Sequence, residues 1–70
     1  MNVKLLEAAL SHYKSQRDEA VAVLDVYLTN PVGIGEHSNL VSEILKWTQA
    51  LSEAEENLST LHRHFPQMKG

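Results

Sequence analysis

The 70-residue chain contains no cysteine. Disulfides and thiolate zinc sites, two common supports of small domains, are therefore excluded. Proline and glycine are scarce, at two and three residues. One of those prolines and two of those glycines fall together between Asn30 and Asn39, so helix breakers are nearly confined to one place. An apolar run of about 18 residues, the length that crosses a bilayer as a helix, is missing. So is a charged start followed by an apolar signal core. Clustered Lys and Arg are also missing. The formal net charge is −3 with both signs interspersed, which argues against a surface for nucleic acid or another polyanion. The expected setting is cytoplasmic, without membrane contact.

What is present is an ordinary apolar content of 43%, which argues against wholesale disorder. The length allows a single domain, residues 1–70, with 65–70 as a short tail. A chain this short struggles to bury enough apolar surface to outweigh its conformational entropy. The remaining supports are self-association, a His/carboxylate metal site, or very regular helix packing.

The arm after Asn39 carries the stronger pattern. Leu40, Ile44, Trp47, Leu51, Ala54, Leu58, Leu61 and Phe65 recur at alternating spacings of 4 and 3, a heptad stripe along one helix face. Glu43, Lys46, Gln49, Glu53, Glu55, Glu56 and Asn57 between them suit a wet face. Ser38 or Asn39 can cap the start. His62, Arg63 and His64 complement the dipole at the end, and Pro66 stops the helix. The spacing predicts a helix over about 38–64. In the first arm Val3, Leu6, Leu10, Tyr13, Arg17, Ala20, Leu24 and Tyr27 alternate at 3 and 4. Asn2 is the cap and Pro31 the stop, so a helix is predicted over about 3–29. The β-branched stretch from Ala20 to Leu28 also reads as a strand, but no second segment exists to pair with it.

The expected fold is all-α, a two-helix antiparallel hairpin. Folding the chain back at Gly33/Ile34 pairs Tyr27 with Leu40, Leu24 with Ile44, Ala20 with Trp47 and so on to Val3 with Phe65. In each pair the residue numbers sum to 67 or 68. Small Ala20 against large Trp47, and Tyr13 against Ala54, are volume complements. A lone hairpin leaves most of each helix wet. Val21, Val23, Val26 and Leu28 on the first arm, with Val41 and Leu45 on the second, broaden the apolar face near the turn. A homodimer is therefore expected, a four-helix bundle whose contact is weighted toward the turn end. Its candidate interface residues are Arg17, Val21, Leu24, Val26, Leu28, Val41, Leu45 and Trp47. The alternative is a heterologous protein covering the same face.

The residues that suggest chemistry each have a plainer reading. Gly33-Ile34-Gly35 before a helix start could bind an anion through backbone N–H groups. It lacks the strand and the Lys-Ser/Thr of a nucleotide loop, so two glycines for a tight reversal is the simpler account. His62 and His64 point to different sides of a helix. A His12/His62 pair lacks a third ligand, so no metal and no cofactor are expected. Asp18/Glu19 and Glu55/Glu56 read as solvated faces, and the serines carry no nucleophile motif. The chain is not expected to be an enzyme. Trp47 and Phe65 lie on the stripe and read as core. Arg17 interrupts the stripe. Its stem covers apolar surface while its head reaches water or Glu55, or it sets register as a polar group in a bundle. The ten-residue turn, with Pro31, Gly33, Ile34, Gly35, Glu36 and His37, is longer than the two to five residues that suffice to join helices. Its Glu36-His37 pair is a candidate recognition spot.

The string Asn30-Pro31-Val32-Gly33-Ile34-Gly35-Glu36-His37, followed by a capping polar pair, resembles a turn of small uncharacterised helical proteins from marine and cyanobacterial T4-like phages. The resemblance covers the turn and, loosely, the acidic arm after it. It implies an accessory protein acting in a bacterial host cytoplasm, and it carries no activity or functional residue. The functional expectation is a self-associating helical interaction or assembly module. The alternative is a small regulator that binds a host or phage protein, or less readily nucleic acid, through its outer face.

Overall fold

The computed structural model describes residues 2–29 and 37–66. They form two helices, α1 over Val3–Thr29 and α2 over His37–His64. The described residues contain no strand, and Ala20 to Leu28 is the last part of α1. Propagating a long helix satisfies each backbone group locally, whereas a lone strand leaves them all unpaired.

The ends follow from local chemistry. Asn2 caps α1: its Oδ1 accepts the Leu5 N–H at 3.1 Å, and its carbonyl accepts the Leu6 N–H at 3.2 Å. At the end of α2 the Phe65 N–H donates to the Leu61 carbonyl at 2.8 Å, and Pro66 follows. The basic last turn contains His62, Arg63 and His64. The start of α2 differs slightly from expectation. It begins at His37, so Ser38 and Asn39 lie inside the first turn rather than ahead of it. Asn30, Pro31, Gly33, Ile34, Gly35 and Glu36 lie outside the described residues, as do the side chains of His37 and Ser38.

The two helices pack side by side and antiparallel in a body of 48 × 15 × 15 Å. The stripe faces inward on both. Leu10, Ala20, Ala54 and Leu58 are buried. Leu6, Tyr13, Leu24, Tyr27, Leu40, Ile44, Trp47, Leu51 and Leu61 are half-buried. The covered zone ends one pair short of expectation. Val3 is 42% exposed and Phe65 39% exposed. Phe65 follows the last helical residue, and a pair at the open end has neighbours on one side only. Among the described residues no large side chain is wholly enclosed, which is what two helices without a second layer can achieve.

Candidate functional site

With the inward stripe assigned to heptad positions a and d, the flanks of each helix fall into two sets. In an antiparallel pair, e positions share one side of the hairpin and g positions share the other. Glu7, Lys14, Val21 and Leu28 occupy e on α1, one heptad apart. Val41, Thr48, Glu55 and His62 occupy e on α2, with Leu45 beside them at b. On this side, at the turn end, Val21, Leu28, Val41 and Leu45 are 50%, 66%, 59% and 66% exposed. They form an uncovered apolar patch. The other half of the same side, away from the turn, carries Glu7, Lys14, Glu55 and His62.

The expected interface divides into three parts. Val21, Leu28, Val41 and Leu45 belong to the patch. Val26 does not: it lies one heptad after Glu19 and two after His12, on the opposite side of the hairpin. Its exposure there reflects a 200° rotation from Leu28, two residues along the helix. Leu24 and Trp47 are half-buried between the two helices, where they serve the hairpin itself. Arg17 is half-exposed, and its Nε lies 3.1 Å from Asp18 Oδ1 rather than against Glu55. An adjacent carboxylate needs no reach across the interface, and so competes well with a more distant one.

The opposite side holds a feature that the spacing did not reveal. A cleft of about 360 Å³ runs between the helices, lined by His12, Tyr13, Gln16, Glu19, Trp47, Ala50, Glu53 and Asn57. Ala50 is short, so the flanking side chains stand above it as walls. The Tyr13 ring meets His12 edge-on at 5.5 Å, and the Lys46 ammonium sits 5.4 Å from the Trp47 ring centroid, within cation–π range. The cleft offers two amides and two carboxylates for polar contacts. His12 and Glu19 share heptad position c, with Ala50 across from them, which is the signal that could have announced it.

Glu43 was also missed. Expected on the wet face, it is half-buried. Its Oε1 accepts both the Tyr27 hydroxyl at 3.1 Å and the Trp47 Nε1–H at 3.4 Å. Loss of water around the Tyr27 phenol raises its pKa above the usual value, and the Glu43 hydrogen bond and charge raise it further. Trp47 opposes this in part.

His12 and His62 occupy positions c and e, which face opposite sides, so they do not converge. Among the described residues no three His, Cys, Asp or Glu side chains come together as a ligand set. His62 Nε2 is enclosed and has no hydrogen-bond partner. Among the described residues no helix is long and apolar enough to cross a membrane. No protein-family model, curated protein or solved structure matches this chain.

Proposed function

We propose that this protein is a self-associating helical module, a homodimer that acts in assembly or interaction. The observation that carries the reading is the one-sided patch of Val21, Leu28, Val41 and Leu45 on a hairpin whose own core is thin. Among the described residues four are buried, and two of them are alanines. Such a core supplies little of the apolar burial that offsets chain entropy.

In this reading a second hairpin supplies the missing layer and the pair becomes a four-helix bundle. The cleft lies on the other side and stays open to solvent. Together with the resemblance of the turn, the reading describes a phage accessory module in a bacterial cytoplasm. Light scattering on the purified protein tests it, with melting followed over a hundredfold concentration range. A dimeric mass and a melting temperature that rises with concentration are expected. A fully helical monomer would overturn the reading and favour a heterologous protein as the patch's partner.

A further inference from the structure

Resting on the self-association reading, we infer that the second copy docks along the whole e side, with both turns at the same end and the two-fold axis parallel to the helices. This operator sets α1 of one copy against α2 of the other, antiparallel. Each helix then meets residues of the second copy at the same levels as within its own hairpin. Along the e positions the levels bring Leu28 to Val41, Val21 to Thr48, Lys14 to Glu55 and Glu7 to His62, and each pair sums to 69.

The matching is chemical as well as geometric. At the turn end, apolar side chains meet apolar side chains. Thr48 joins them through its methyl group, because its hydroxyl already donates to the Ile44 carbonyl at 2.7 Å. Away from the turn, a base meets an acid in Lys14/Glu55, and an acid meets an imidazole in Glu7/His62. Leu45 at b sits at the outer edge, level with Asp25, whose carboxylate keeps its water there.

The head-to-tail alternative places the two-fold axis across the helices. It sets α1 against α1, with Leu28 near Lys4 and Glu7, and Val41 near Ser59 and His62. Exposed apolar groups would then cover charged ones, which costs desolvation without a compensating partner. An overlap of the turn ends alone would leave Lys14 and Glu55 in water, without any contact across the copies.

The chain has no cysteine, so single-cysteine variants are clean probes. Lys14→Cys and Glu55→Cys leave the apolar patch intact. The two proteins are mixed, oxidised gently and mapped by peptide mass, while light scattering reports mass under reducing conditions. A 14–55 disulfide in this mixture is necessarily between copies. The inferred arrangement gives 14–55 bridges in about tenfold excess over 14–14 and 55–55 bridges, because side chains on distant helices cannot close a disulfide without backbone movement. A dimeric mass with statistical or like-with-like bridging would overturn the arrangement and leave self-association standing. A monomeric mass would overturn both.

Discussion

The Tyr27 hydroxyl donates to Glu43 Oε1 at 3.1 Å, and among the described residues it is the one side-chain hydrogen bond that joins α1 to α2. The same oxygen receives the Trp47 indole N–H from one turn along α2. A single carboxylate thus ties the turn end of the hairpin together beside the apolar stripe.

That tie predicts a weakness in alkali. The folded-state pKa of Tyr27 is raised, first by loss of water and then by Glu43. A raised pKa favours the neutral phenol in the folded state. Its contribution is therefore fully present below the ordinary tyrosine value of about 10, and it is lost as pH climbs through the folded-state value. Tyr27→Phe should flatten the fall of melting temperature above about pH 10 relative to the parent. Identical alkaline limbs would refute the assignment.

The thin core predicts sensitivity at its few buried positions. Leu10→Ala and Leu58→Ala should each cost about 2–3 kcal/mol, the lower part of the usual range for buried leucine, because water can reach part of the vacated space. Against the small stability of a short chain this is a large fraction. Circular dichroism during urea titration reads it as a lower midpoint. Unchanged midpoints would mean that these leucines are not the core.

His62 predicts the opposite sign. Its Nε2 is enclosed without a hydrogen-bond partner, and an unsatisfied buried polar atom costs about 1–3 kcal/mol. At protein concentrations low enough to leave single hairpins, where no Glu7 of a second copy reaches the ring, His62→Leu should raise the melting temperature, and His62→Gln should not. Loss of stability in the leucine variant would show that the ring is satisfied in solution.

Arg17 stands on the stripe but pairs with its neighbour Asp18 at half-exposed and exposed positions. Such a contact contributes about 0–1 kcal/mol. Arg17→Leu should therefore raise stability by extending the apolar stripe, and Asp18→Asn should change it little. The oligomeric mass should be the same in both. A change of mass in Arg17→Leu would instead give the arginine a register-setting role.

The patch predicts an effect on association separate from folding within one chain. Val21→Ser together with Leu45→Ser removes two exposed side chains from the proposed contact, each contributing up to about 1.5–3 kcal/mol when fully buried. The dimer should dissociate at higher protein concentration in sedimentation equilibrium, with the far-ultraviolet spectrum little changed at high concentration. An unaltered dissociation constant would move the interface elsewhere. Val26→Ser, on the opposite side, serves as the control.

Much of the hairpin was legible because heptad spacing and caps are local signals. Val3–Thr29 for α1 matches expectation, and α2 begins at His37, one residue ahead of the capping pair. The stripe from Leu6 to Tyr27 faces that from Leu40 to Leu61 because both helices must bury the same face. The extra apolar residues were harder to sort. Val26 and Leu28 are two residues apart and look like one cluster in a string, but a helix separates them by 200°. Glu43 looked like a surface acid because its value depends on Tyr27, sixteen residues away. Of the ten-residue turn, His37, Ser38 and Asn39 fall within the described residues, where they open α2.

The sequence by itself determined the helices, the antiparallel pairing and the poverty of the core. Those follow from periodicity, from the position of the breakers and from the number of apolar residues, all of which act along the chain. The tertiary structure decided which apolar residues remain uncovered, that a cleft opens beside Ala50, and that one carboxylate serves two aromatic side chains. Those depend on how two rods roll against each other. That rotation is set by the shapes of side chains from both rods at once, and no single arm contains it.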